Sequence, residues 1–285
     1  YYTHIKGNGE DKVTLMVYMV GSDLESDGGA ASEDIAEMTA ANADNINITL
    51  QTGGAAAWEN ASISDGKTER HIIKNGELQN VENLGEAQMT SPNTLTDFIK
   101  WSASNYPADR YELVLWNHGG GTALGFGYDE MYPDDMLSLS QIGNALSDSG
   151  IKFDIVGFDA CLMGTIETAY MLEPYADYLV ASEEYEPGPG WYYSEWLKNL
   201  SDNTSMPTVE IGKKIVEEYI NGPDSSFFDS NTLSIVDLRE IPYTYSKLCE
   251  IMQQEEGVLD SRYSVISQAR YNAKSFGDGE FEQID

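Results

Sequence analysis

Short, nearly continuous apolar runs that each stop at small residues constrain this chain more than any other feature. Val13–Val20 (VTLMVYMV) runs into Gly21, Ser22 and Asp23. Ile46–Thr52 (INITLQT) runs into Gly53 and Gly54. Tyr111–Asn117 (YELVLWN) is followed, after His118, by Gly119, Gly120 and Gly121. Phe153–Ala160 (FDIVGFDA) and Tyr178–Ser182 (YLVAS) repeat the pattern. Runs of this kind read as strands buried on both faces, ending in loops. Between them lie stretches with helical spacing: Ser32–Ala41, capped by Ser32; Ser91–Ser104, with Pro92 just inside its start; Leu139–Leu146; and Thr165–Leu172. Further along, Trp191–Leu200, Val209–Ile220, Tyr243–Gln253 and Ser264–Ala273 are predicted helices, with Thr232–Val236 a last strand. Asn75-Gly76, between Arg70–Ile73 and a run from Leu78, predicts a hairpin. The surrounding Gly53–Asn93 stretch is expected to leave the main sheet. Strands alternating with helices imply an α/β fold, a mostly parallel sheet covered on both faces. Ligands in such sheets bind at the carboxyl ends of the strands.

Charge narrows the partners. Sixteen Lys and Arg face 48 Asp and Glu, a formal net charge of −32. Nucleic acids and anionic membranes are polyanions and are excluded as expected partners. Basic peptides and divalent cations are favoured, although an acidic surface also serves solubility alone. No apolar run reaches the roughly 18 residues of a membrane span. The chain opens on a polar segment, residues 1–12, with no Met. It reads as a trimmed chain, and a secreted or cell-envelope location is expected. Two cysteines, Cys161 and Cys249, make neither a disulfide framework nor a zinc cluster, though one bridge between them stays open. Cys249 follows helical spacing with Tyr245, Leu248 and Met252, so a core position is expected.

Of three histidines, His4 lies in the polar terminus and His71 in the predicted hairpin. His118 alone stands at the carboxyl end of a buried strand, with glycines that let backbone N–H groups approach a substrate. Cys161 stands at the end of another such strand, directly before a predicted helix. A helix N-terminus and a neighbouring histidine both favour a thiolate. Asp159 shares the Cys161 side of its strand by simple alternation. A carboxylate there hinders a thiolate, so it suits the floor of a pocket for a cationic side chain, or hydrogen-bonds loop amides. Asp129, Glu130, Asp134 and Asp135 form an acidic loop whose oxygens suit calcium, without the spacing of an EF-hand.

These residues resemble a family. Trp116-Asn117-His118-Gly119-Gly120-Gly121 and Phe158-Asp159-Ala160-Cys161-Leu162-Met163-Gly164 are similar to the two catalytic motifs of clostripain-like cysteine peptidases in the caspase-like clan. Weaker matches are Val17-Tyr18-Met19, Gln51-Thr52-Gly53-Gly54, and Ala181-Ser182-Glu183-Glu184 leading to Gly190-Trp191. The resemblance runs from Val13 to Ser275. It implies one peptidase domain over residues 1–285, a three-layer α/β/α caspase-like sandwich, with more chain expected at the C-terminus. It implies Cys161 as nucleophile and His118 as general acid/base. It further implies an oxyanion hole from the amides of Gly119 and Cys161, and a P1 Arg or Lys bound by Asp159 with Ser182 and Glu183 lining the same pocket. No cofactor is required, and calcium is an optional ligand. Relatives often cut themselves between the two motifs after a basic residue. Thr122–Ile151 contains no Lys or Arg, so no such cut is expected there. A serine esterase is disfavoured, because no Gly-x-Ser-x-Gly elbow accompanies His-Gly-Gly-Gly. The remaining alternative is an inactive peptidase-like domain that binds basic partners or cations.

Overall fold

A computed structural model describes residues 5–222, 231–255, 262–277 and 283–284. The first four residues, His4 among them, lie outside it. One eight-stranded sheet organises the chain, in the order β4-β3-β2-β1-β5-β6-β7-β8. The strands are β1 (Val13–Val20), β2 (Asn47–Gly53), β3 (Thr68–Lys74), β4 (Glu77–Gly85), β5 (Arg110–Trp116), β6 (Phe153–Asp159), β7 (Ala176–Ala181) and β8 (Ser234–Asp237). The central five, β2-β1-β5-β6-β7, pair in parallel. β3, β4 and β8 are antiparallel additions at the edges. The expected excursion after Gly53 is therefore not one: the β3–β4 hairpin extends the main sheet. Its turn is Asn75-Gly76, both at positive φ (53° and 68°), the geometry that closes a tight hairpin without splaying its strands.

Strand β1 shows how the two cores arise. Its odd residues Val13, Leu15, Val17 and Met19 pack into one cluster, and Met16, Tyr18 and Val20 into the other. All eight positions are buried. On the first face lie α2 (Ala30–Ala40), α7 (Tyr193–Asp202) and α8 (Thr208–Asn221), following a short α1 (Ser22–Ser26). The opposite face carries α3 (Pro92–Asn105), α5 (Leu139–Ser149) and α6 (Ile166–Leu172), with a one-turn α4 (Gly121–Leu124) before α5. Each fully buried aliphatic side chain contributes about 1.5–3 kcal/mol, which is why double-sided burial settles the strand assignments. Helix α5 is closed by a reciprocal capping box between Ser138 and Gln141. Helix α2, by contrast, starts before the expected Ser32 cap. Gly29 in the left-handed region begins it, and the Ser32 hydroxyl instead donates to Glu25.

Helices α9 (Ile241–Glu255) and α10 (Tyr263–Asn272) complete the described chain with a two-residue pairing of β9 (Ser275–Phe276) and β10 (Gln283–Ile284). Helix α9 meets α6 through Tyr245 and Tyr170, whose ring centroids lie 4.4 Å apart with the planes tilted by 34°. Leu248 and Met252 are exposed and Cys249 is half-buried, so the expected core position for Cys249 is not met. Both cysteines are free thiols. No described helix is long and apolar enough to cross a membrane.

The chain passes from β1 outward to β2 on one side, and from β5 outward to β6 on the other. The reversal between β1 and β5 opens a crevice beyond their carboxyl ends.

Candidate active site

Register brings the two sequence motifs together. Trp116 at the end of β5 pairs with Asp159 at the end of β6, and the Asn117 amide donates to the Asp159 carbonyl at 3.2 Å. Two residues beyond the end of each strand come His118 and Cys161, which line one cleft. The backbones touch behind them. A Cβ placed on Gly119 would sit 2.0 Å from the Cys161 carbonyl oxygen, so only glycine fits. Gly120 donates to the Gly125 carbonyl and Gly127 to the His118 carbonyl. These bonds flank Gly119 and leave its own amide directed away from that bridge.

His118 is half-exposed and firmly placed. Asn117, buried before it, donates from Nδ2 to the Val20 carbonyl and, at 2.8 Å, to Ser22 Oγ. That bolts the end of β5 to the end of β1. His118 Nε2 lies 2.9 Å from Asp23 Oδ1, and its ring meets Tyr128 edge-on.

Cys161 occupies a tight turn. Leu162 takes a left-handed φ of 63°, rare for a residue with a branched side chain. The turn is clamped by Leu162 donating to the Glu184 carbonyl and Gly164 to the Ser182 carbonyl, at 3.2 and 2.7 Å. The Cys161 sulfur accepts the Glu186 amide at 3.2 Å. Burial pushes the thiol up, with Asp159 and Glu184 adding to it and the Glu186 amide working against it. Helix α6 does not begin at Cys161 but five residues later, capped by Thr165 on the Thr168 amide. The expected helix N-terminus beside the thiol is thus absent, because the Leu162–Gly164 turn intervenes.

A cleft of about 170 Å³ opens between these groups, lined by His118, Cys161, Asp159 and Glu186 among others. Asp159 is buried; Tyr193 donates its hydroxyl to it at 2.7 Å and the Trp191 amide at 3.2 Å. It therefore bonds a loop amide, one of the two roles left open from sequence, and it also lines the cleft. Burial raises its carboxyl to about 6. Glu186 lies beside it, and a hydrogen bond joins the two carboxyls. Burial first, then the Asp159 charge, pushes the Glu186 carboxyl well up. No Lys or Arg is among the residues lining the cleft. Two adjoining buried carboxyls without a cation can share protons, or release them to an incoming cation.

Other expected residues lie elsewhere. Ser182 and Glu183 do not line this cleft. The Ser182 hydroxyl engages the Glu184 carbonyl and Thr232, and Glu183 accepts from Ser234 on β8. Among the described residues, no group of three or more suitable metal ligands comes together, in the acidic loop or elsewhere. Asp129 is buried and accepts the amides of Met89 and Met131, while Glu130 accepts from Ser26 and the Ala56 amide. Two site residues were missed from sequence, Asp23 and Glu186. Their signal was positional: Asp23 lies in the short α1 beyond the carboxyl end of β1, and Glu186 in the loop beyond that of β7.

The sequence model of the clostripain family matches residues 17–276. Clostripain of Hathewaya histolytica is 32% identical over 225 residues, 66% of this chain. The chain spans 42% of that relative's length. Among solved structures, a secreted C11 cysteine protease from Bacteroides thetaiotaomicron bound to an irreversible peptide inhibitor aligns with a TM-score of 0.69. Its identity is 21%, over 85% of this chain and 70% of that one. An inactive zymogen C11 protease from Parabacteroides distasonis aligns with a TM-score of 0.61 and 23% identity, over 81% and 63%. The fold is that of these caspase-like proteases.

Proposed function

The chain belongs to the clostripain family, and from that premise we propose that it is a cysteine endopeptidase cutting after basic P1 residues, through Cys161 and His118. Cys161 attacks the scissile carbonyl and His118 protonates the leaving amine. The amides of Gly119 and Cys161 receive the oxyanion, a contribution of about 3–4 kcal/mol per donor in comparable sites. One observation carries the specificity: two buried carboxyls, Asp159 and Glu186, line the His118–Cys161 cleft with no cation among its lining residues. A guanidinium entering there displaces the protons these carboxyls hold and offers a fork of donors to them. Neutralising Asp159 also removes one charge that opposes the Cys161 thiolate. The right P1 residue thereby favours its own nucleophile.

The test is hydrolysis of a peptide reporter with Arg at P1, under reducing conditions, by the chain and by Cys161→Ala. Turnover by the first and none by the second is expected. Cleavage that survives Cys161→Ala, or no turnover alongside tight binding of basic peptides, overturns the reading in favour of a binding domain.

A further inference from the structure

We propose that Asp23 is a positioning residue for His118, holding its imidazole with the proton on Nε2 so that Nδ1 exchanges protons with the thiol and the leaving amine. The proposal rests on His118 serving as the acid/base in the reading above. A carboxylate can only accept, so an imidazole nitrogen 2.9 Å from Asp23 Oδ1 must carry a hydrogen. In the neutral ring that leaves the lone pair on Nδ1. When Nδ1 takes the Cys161 proton, the imidazolium forms with Asp23 as its counter-charge. The same proton then passes from Nδ1 to the leaving amine, and the neutral Nε2–H ring is restored.

The backbone is built to present Asp23. Beyond the last residue of β1, Gly21 donates to the Gly53 carbonyl at 2.7 Å and Ser22 to the Gly54 carbonyl at 3.2 Å. Ser22 then adopts a φ of 52°, in the left-handed region that favours glycine. It is fully buried, and its hydroxyl accepts from Asn117 Nδ2 at 2.8 Å and from the Leu24 amide at 3.3 Å. This strained turn is locked to the residue immediately before His118, so Asp23 and His118 are positioned by one shared set of bonds. Conformations of this kind persist where surrounding contacts impose them, and they cluster at working sites.

A folding role is the weaker explanation. The side chains of His118 and Asp23 are 39% and 47% exposed, and ion pairs that open to water add little to stability. Burial opposes the Asp23 carboxylate, yet the His118 hydrogen bond and charge outweigh it and hold the carboxyl below its usual range. Asp23 is therefore a charged acceptor at neutral pH.

The experiment joins ring tautomer to kinetics. Only three histidines are present, so nitrogen NMR of the side chains is assigned by replacing each in turn. At about pH 8, above the usual imidazole range, His118 is expected as the Nε2–H tautomer in the wild type and as a mixture in Asp23→Ala. On the Arg reporter, Asp23→Ala should lower kcat on the order of 10- to 100-fold with KM little changed, a share of what acid–base catalysis supplies. Asp23→Asn keeps an acceptor without the charge, so it should retain the tautomer and lose less rate. Thermal unfolding should be nearly the same in all three. An Nδ1–H tautomer in the wild type, or wild-type kcat in Asp23→Ala, overturns the proposal. If the wild type cleaves no reporter, the peptidase reading fails while the tautomer still decides the placement of His118.

Discussion

Strand β6 carries a buried aspartate at each end, and the two are treated differently. At the amino end, Asp154 accepts from Arg110 Nε at 2.6 Å. Arg110, fully buried, places its other donors on the carbonyls of Thr204 and Met206 and the hydroxyl of Thr208. Glu112, two residues along β5, is pushed up to about 7 by burial, with Arg110 lowering it and Asp154 raising it. One internal cation thus serves one carboxylate at close range, and the second holds its proton close to neutral pH. At the carboxyl end, Asp159 and Glu186 face a cleft with no lining cation. At Asp154 the fold supplies the counter-ion. Where the carboxyls face an opening, we read the missing cation as the substrate's.

The largest way to break this contrast is at Arg110. Arg110→Ala strands Asp154 in the core and should cost about 3–5 kcal/mol of folding stability, measured by chemical denaturation. A loss under about 1 kcal/mol would mean the amino-end pair is not structural. Next comes Asp159→Asn, which removes a buried charge that lacks a cation. Turnover of the Arg reporter should fall on the order of 100-fold, about 2.7 kcal/mol, while stability holds or rises. Unchanged cleavage after Arg would detach Asp159 from P1 recognition.

A third effect is in the pH dependence of stability, and its sign follows from the raised carboxyl. Asp159 titrates at about 6 in the folded chain against an ordinary 3.8. Between those values the folded chain holds a proton that the unfolded chain has lost. Its contribution is therefore full below about pH 4 and is lost as pH rises to about 6. Asp159→Asn has no such loss, so its stability relative to wild type should climb from about pH 4 to about pH 6 and then level off. Thermal melts across that range check it; a difference that is flat with pH would place Asp159 in a better-solvated setting than its burial implies.

Much of this architecture is legible in the sequence. The β5 and β6 runs announced their strands because an apolar stretch buried on both faces has no polar side to disguise it. Asn75-Gly76 announced its hairpin because few residue pairs tolerate two positive φ values. The errors have local causes too. Gly53–Asn93 looked like an excursion because edge strands such as β4 carry exposed polar residues and weaken the pattern. The activating helix expected at Cys161 was misplaced because nothing in Leu162-Met163-Gly164 marks a left-handed leucine. Cys249 followed a core-like spacing, but helical periodicity says which residues share a face, not whether the face is covered.

Taken alone, the sequence determined the sheet-forming runs, and with them that His118, Cys161 and Asp159 stand at strand ends, since burial on two faces leaves those segments no other regular structure. Only the tertiary structure decided who meets whom. His118 acquires Asp23 from 95 residues away because β1, not a chain neighbour, lies beside β5. Asp159 acquires Glu186 because the loop after β7 folds back over the end of β6, with the Glu186 amide on the Cys161 sulfur. Strand order and loop path are set by packing of the whole sheet, and no local pattern of side chains records them.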